Sequence, residues 1–249
     1  MSAAARRLGI LGGTFDPVHL GHLALAEEVR ETLDLARVLF VPAGDPWQKS
    51  GTVVTPAAVR YALVERAIAD NPGFAASRVE VDRPGPTYTS ETLTAIAEAE
   101  RAAGREPDLW FILSAEALAG LPTWRDPERI LALARLAVVP RVDDADDLAA
   151  AAARFSADFP GREDRAVFLP GPRLAISGTL IRARVAAGRS IRYLAPTAVA
   201  AAIREYALYQ PSPAPAAPVS PRFWFRSTRV ASRGPRATTR SAGLRGRRR

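Results

Sequence analysis

Along the first 210 residues, short apolar runs alternate with longer stretches whose apolar positions recur every three or four residues. The runs "RLGILGG" (7–13), "RVLFVPA" (37–43), "SRVEVD" (77–82), "DLWFILS" (108–114), "RLAVVP" (135–140) and "AVFLPG" (166–171) predict strands. Helical periodicity predicts helices over 19–33, 55–70, 90–103, 126–134, 145–157, 178–187 and 196–208. Thr55-Pro56 suits an N-cap and first turn, and Gly188 stands where a helix-ending glycine belongs. Such alternation specifies βαβ units. The expected fold is therefore α/β: a Rossmann-like, doubly wound, mostly parallel sheet with helices on both faces. Ligands of these sheets bind beyond the carboxyl ends of the strands, near the point where strand order reverses. The first strand ends at "GGT", so function is expected there.

After Gln210 the periodicity stops. Residues 211–249 are rich in Pro, Ala, Ser and Arg without pattern, which predicts a disordered basic tail behind an α/β domain of residues 1–210. The tail changes how charge is read. The chain carries 34 basic and 26 acidic residues, net +8. Ten of the basic residues and none of the acidic ones lie from Pro211 onward, which leaves 24 basic against 26 acidic in residues 1–210, a net of −2. Basicity therefore gives no reason to expect nucleic acid on the folded body. The tail itself keeps an electrostatic arm for RNA, DNA or anionic lipid open, the aromatics between arginines in "RFWFR" suiting bases, beside a solvated extension without a role.

With 48% hydrophobic and 24% charged residues the composition is that of an ordinary globular protein. The absence of cysteine excludes disulfides, thiolate nucleophiles and cysteine-ligated metal sites. No apolar run reaches the length of a membrane span and none at the N-terminus suits a signal peptide, so a cytoplasmic location and no membrane partner are expected.

The two histidines of the chain, His19 and His22, both fall in "GILGGTFDPVHLGHLALAEE" (9–28). Gly12, Gly13 and Thr14 follow a strand and precede a helix. Glycines there can adopt positive φ and let backbone approach a bulky anion, while the helix N-terminus supplies N–H groups and partial positive charge. A plain tight turn is the alternative, since the spacing is neither a Walker loop nor GxGxxG. Residues i and i+3 share a helix face, so both imidazoles can reach one place beside the turn, with Gly21 between them allowing close approach. Zinc would need a third ligand that no other His or Cys supplies, and no metal-ligating residues are assigned. Helix capping and general acid–base chemistry remain open for the pair.

"GGTFDPVHLGH" resembles the first signature of the nucleotidylyltransferase superfamily, (H/T)xGH, and "ISGTLIR" (176–182) resembles its second, ISSTxIR. More narrowly, residues 7–209 resemble bacterial nicotinate-nucleotide adenylyltransferases. "PWQK" (46–49), "GPTYTSETL" (85–93), "LPTW" (121–124) and the closing "AGRSIRYLAPTAVAAAIREYALY" fall in that family's order. The resemblance implies transfer of AMP from ATP to nicotinate mononucleotide, giving deamido-NAD and pyrophosphate in NAD biosynthesis. Such transfers rest on positioning and charge neutralisation. It implies an ATP site of Gly12, Gly13, Thr14, Phe15, His19, His22, Glu116, Ser177, Thr179 and Arg182, with His19, His22, Lys49 and Arg182 in catalysis. Lys49, Tyr88, Thr89 and Trp124 then meet the mononucleotide, Trp124 offering a flat face to the pyridine ring or, in the alternative, packing in the core. Mg²⁺ is expected with the ATP phosphates, and Asp16 is either a water-mediated helper or a turn-stabilising residue beside Pro17.

Two positions depart from the family pattern. "SAEAL" (114–118) stands for GADxL, placing Ser114 for Gly and Glu116 for Asp, and Gly178 replaces the second serine of ISST. A sister adenylyltransferase acting on nicotinamide mononucleotide or phosphopantetheine would carry nearly the same phosphate motifs; "GPTYT" and "LPTW" favour nicotinate. From another class, a nucleic-acid-binding protein using the tail is the competing reading. A class I aminoacyl-tRNA synthetase is disfavoured by the short body and the lack of a KMSKS loop.

Overall fold

The computed structural model describes residues 6–45, 54–140 and 148–210. Six strands form one sheet: β1 (Arg6–Gly13), β2 (Arg37–Pro42), β3 (Phe74–Ala76), β4 (Pro107–Ser114), β5 (Ala134–Val139) and β6 (Ala166–Phe168). Their order is β3-β2-β1-β4-β5-β6 and every pairing is parallel. The helices are α1 (Leu20–Thr32), α2 (Ala57–Ile68), α3 (Thr89–Ala102), α4 (Ala115–Ala119), α5 (Pro127–Leu133), α6 (Leu148–Asp158), α7 (Gly178–Ala186) and α8 (Thr197–Glu205). The expected α/β, doubly wound architecture is what the chain adopts.

Side-chain alternation along the strands divides the core into two layers. Leu11, Trp110, Ile112, Ala137 and Val139 face one way and pack with residues of α1, α2, α7 and α8, among them Val29, Leu63, Ile181 and Ile203. Ile10, Leu109, Phe111, Leu113, Leu136 and Val138 face the other way, against α3, α4, α5 and α6 through Leu93, Leu118, Ile130 and Phe155. Burial on both faces explains why β4 reads as the unbroken apolar run "LWFIL". Strand order reverses between β1 and β4, whose register runs from Arg6↔Pro107 to Leu11↔Ile112. The crevice that this reversal opens lies over the carboxyl ends of those two strands.

Several boundaries correct the sequence reading. The third strand is Phe74–Ala76 and not 77–82: its ladder closes where Ser77 N–H donates to Phe40 O at 2.9 Å. Beyond it, Asp82 N–H bonds back to Arg78 O at 3.0 Å while Arg78 and Asp82 pair side chain to side chain, so the alternating "VEV" closes a helical turn. The short α4 and the 3₁₀ turn Leu121–Thr123 had no counterpart among the predicted elements. Helix α2 begins one residue after Pro56, which is itself the N-cap. Gly188 does end α7, at φ 64°, with Arg189 N–H bonded to Arg184 O. The residues preceding Leu148 in the predicted 145–157 helix, and the predicted 211–249 tail, lie outside the described residues. Among the described residues no helix is long and apolar enough to cross a membrane.

Candidate active site

The turn after β1 sits at the reversal point, and its conformation differs from the expectation of positive φ at the glycines. Gly12 and Gly13 remain in the ladder, opposite Val41 and Pro42 of β2, and the left-handed residue is Phe15 at φ 50°. The glycines serve space. A Cβ on Gly13 would meet the Phe15 ring at 3.1 Å, and one on Gly12 would touch Phe111 at 3.7 Å. Phe15, buried at 2% exposure, folds back under the turn and supports His22 edge-on, ring centroids 5.0 Å apart.

His19 is the N-cap of α1 in extended backbone and His22 is its third residue. Their rings stack at 3.6 Å with 21° between planes, so the two imidazoles do share one place. The His19 N–H donates to Nδ1 of His22 at 3.2 Å. In the neutral ring this leaves the proton on Nε2, making that nitrogen a donor. A Cβ on Gly21 would press on the His19 ring at 3.1 Å, which is why the residue between the imidazoles has none.

The second signature arrives at the same turn from 160 residues away in the chain. Ser177 caps α7, its Oγ accepting from Leu180 N–H at 3.1 Å. A Cβ on Gly178 would lie 2.7 Å from the carbonyl oxygen of Asp16, so the glycine permits α7 to approach the turn more closely than a serine would. Arg182 donates through Nη1 to that carbonyl at 2.6 Å and through Nη2 to Thr179 Oγ1 at 3.3 Å. Two helix N-termini, two imidazoles and a guanidinium thus converge, a surface suited to a polyanion.

Two residues that hold this site together were not singled out from the sequence. Arg60 of α2 is 1% exposed and donates to Thr55 O (2.7 Å), Thr14 O (2.6 Å), Ala43 O (2.6 Å) and Gly44 O (3.1 Å). Desolvation by burial lowers its pKa, opposed by the nearby Asp16, yet a guanidinium stays charged. One side chain therefore fixes the turn after β1, the end of β2 and the approach to α2. Its signal was a charge on the apolar stripe 60, 63, 64, 67. The other is Tyr209, whose hydroxyl donates to Asp16 Oδ1 at 2.7 Å. Asp16 itself is buried and turned inward, with Thr55 N–H 3.5 Å from Oδ2. Its hydrogen bonds to Thr55 and Tyr209 link the turn to segments distant in the chain.

At the end of β4, Ser114 caps α4 by accepting from Ala117 N–H at 3.1 Å, which accounts for a hydroxyl where the family pattern has glycine. Glu116 stands exposed in the first turn of α4, just past the end of β4. Tyr88 is the N-cap of α3 and Thr89 its first residue, both half-buried. Trp124, half-buried, meets Phe111 edge-on with centroids 6.1 Å apart, and Phe111 in turn lies under Gly12. Its neighbour Arg125 lies 4.6 Å over the Tyr88 ring and pairs with Glu91 at 3.1 Å. The structure thus brings Tyr88, Thr89 and Trp124 to one side of the turn after β1. Lys49 lies outside the described residues.

This fold and this turn are those of a nucleotidyltransferase-type α/β protein, and residues 10–184 match the family described as cytidylyltransferase-like. A relative from Roseiflexus sp. (strain RS-1), named "Probable nicotinate-nucleotide adenylyltransferase", is 50% identical over 82% of this chain and 98% of its own. One of the same name from Thermomicrobium roseum is 44% identical over 87% of this chain and 97% of its own. The chain belongs to the nicotinate-nucleotide adenylyltransferase family. Among solved structures, the Plasmodium falciparum nicotinic acid mononucleotide adenylyltransferase shares the fold, complexed with APC (TM-score 0.64) or NaAD (TM-score 0.66). Each structure is 16% identical and covers 82% of this chain and 97% of its own.

Proposed function

We propose that the protein transfers the adenylyl group of ATP to nicotinate mononucleotide. A phosphate oxygen of the mononucleotide attacks the α-phosphorus, the bond to the β-phosphate oxygen breaks, and deamido-NAD and pyrophosphate result. The observation that carries this reading is the meeting of the two signature segments: Gly178 and Arg182 reach the Asp16 carbonyl, and Ile176 lies against Gly21. His22 Nε2, the His19 ring and the Arg182 fork take the β- and γ-phosphate oxygens, where negative charge accumulates as the diphosphate leaves. Preorganised donors aimed at developing charge are the main resource for such a reaction. Gly12, Gly13, Thr14 and Phe15 shape the turn on which the phosphates rest, Ser177 and Thr179 line its far side, and Glu116 reaches for the ribose. Lys49 adds a positive charge. Trp124 offers a ring face to the pyridine, Thr89 its first-turn hydroxyl, and Tyr88, with Arg125 over its ring, brings positive charge to that side for a carboxylate.

Mg²⁺ would be held by the ATP phosphates and water, and would there neutralise phosphate charge. Among the described residues no cluster of three metal-binding side chains is present, and Asp16 is committed to Tyr209, which suits an ion carried by phosphates and water. ATP and the mononucleotide are cytoplasmic solutes, and the protein is assigned to that compartment.

Pyrophosphate release with ATP and each of nicotinate mononucleotide, nicotinamide mononucleotide and phosphopantetheine tests the reading. The expected result is a kcat/KM for the nicotinate compound at least about 10-fold above the others, the discrimination expected when a buried polar group is left unpaired. Equal or better turnover with another acceptor, or none with any, overturns it.

A further inference from the structure

The closing segment "REYALY" ends α8 in a way that returns the chain to the site. Ala207 N–H bonds to Arg204 O (3.2 Å) and Leu208 N–H to Ile203 O (2.9 Å), a Schellman ending with Ala207 left-handed at φ 49°. Tyr209 is left-handed as well, at φ 60°. Neither residue is glycine, so the turn is held by what it places. It places the Tyr209 hydroxyl 2.7 Å from Asp16 Oδ1.

Asp16 is a buried carboxylate with few partners. Apart from Tyr209, Oδ2 has the Thr55 N–H at 3.5 Å and Arg182 Nη1 at 4.0 Å, while the same Nη1 is bonded to the Asp16 carbonyl. Arg60, the other nearby guanidinium, is taken up by four carbonyls. A buried carboxylate deprived of its best donor recruits the nearest cation. That cation is Arg182.

We propose that Tyr209 is a positioning residue that satisfies Asp16 and thereby keeps the Arg182 guanidinium turned toward the nucleotide phosphates. This rests on the reading of Arg182 as a phosphate-gripping residue. Without the hydroxyl, Arg182 closes the 4.0 Å gap to Oδ2 and withdraws from the crevice. Burial also pushes the Tyr209 phenol well above its ordinary pKa, so it remains a neutral donor at any pH at which ATP is used.

The test uses the full chain with Tyr209→Phe, Asp16→Asn, Arg182→Ala and their combinations. It measures steady-state kinetics in ATP and in the mononucleotide, calorimetric binding of a non-hydrolysable ATP analogue with Mg²⁺, and thermal unfolding. Tyr209→Phe is expected to lower kcat/KM for ATP and weaken analogue binding about 10-fold, the effect of roughly one charge-assisted hydrogen bond. KM for the mononucleotide should stay within about 2-fold. On the Arg182→Ala background the same change should cost less than about 2-fold, because its target is gone. Asp16→Asn added to Tyr209→Phe should recover most of the loss, since the neutral amide no longer attracts Arg182.

A Tyr209→Phe protein equal to the unchanged one overturns the proposal. So does an equal loss on the Arg182→Ala background, failure of Asp16→Asn to rescue, or a Tyr209→Phe chain without a cooperative unfolding transition, which makes the hydroxyl a folding determinant. If Arg182→Ala itself leaves analogue binding intact, the fault lies in the assignment of Arg182. If Arg182→Ala weakens binding and Tyr209→Phe does not, the fault lies here.

Discussion

Methionine would be an unremarkable residue on a helix stripe that also carries Leu63, Val64 and Ala67, and its substitution for Arg60 isolates what the guanidinium does. Met fills similar volume but leaves the carbonyls of Thr14, Ala43, Gly44 and Thr55 without their donor in a buried place. Arg60→Met is expected to cost about 3 kcal/mol or more, a fall in Tm of roughly 6–12 °C for a chain of this size. Calorimetry of unfolding checks this. Lys at the same position should recover little, because an ammonium cannot span four carbonyls as a planar fork does. His22 is a contrasting case. It is half-buried and supported edge-on by Phe15, and it presents Nε2 as a donor. Its replacement by Ala should leave Tm within about 2 °C while lowering kcat by about 100-fold or more, the cost of removing one donor from a charge-stabilising site. Unchanged turnover in His22→Ala would remove the ring from the mechanism.

At the level of elements, the side proposed for the acceptor depends on a contact between loops. Gly44, just past β2, lies so close to the Glu80 carbonyl that a Cβ there would collide with it. Glu80 in turn accepts from Thr87 Oγ1 and Thr92 Oγ1, both at 2.8 Å, and so ties the turn after β3 to the start of α3, where Tyr88 and Thr89 sit. Gly44→Ala must push this backbone away, at a cost of about 1–3 kcal/mol as for other overpacked sites. Its KM for the mononucleotide is expected to rise more than its KM for ATP, since the displaced element carries Tyr88. Steady-state kinetics in each substrate decides this, and equal changes in both constants would disconnect Gly44 from the acceptor side.

The same elements mark what the amino-acid pattern conveys and what it does not. Strands β1, β2, β4 and β5 are legible because burial on both faces makes them continuous apolar runs. The "SRVEVD" segment alternates like a strand, but a local Arg78–Asp82 pair closes it into a turn, a choice that alternation alone does not encode. Helix α4 has five residues, too few for a period. In the site, the glycine turn, His19, His22 and "ISGTLIR" are legible as local strings. Arg60 is visible only as a charge on an apolar stripe. The Tyr209–Asp16 bond spans 193 positions, and nothing local announces it.

For the molecule as a whole, we propose that the working body reaches as far toward the C-terminus as the Tyr209–Asp16 bond. Residues 211–249 hold ten arginines and no acid. Helix α8, by contrast, is tied to α2 by Arg66, which bonds to Glu205 at 2.8 Å and to the Tyr206 hydroxyl at 2.7 Å, and the chain then turns back to Asp16. A protein ending at Gln210 is therefore expected to keep kcat and KM within about 2-fold of the full chain. Ending it at Leu208 removes the Tyr209 donor and should lower kcat/KM for ATP about 10-fold, matching Tyr209→Phe. The two truncations differ by two residues, so a comparison of their kinetics and melting curves isolates the contact. A large loss already at the Gln210 truncation would mean that the arginine-rich segment takes part in binding the nucleotide, and equal activity in both would mean that the body ends before Tyr209.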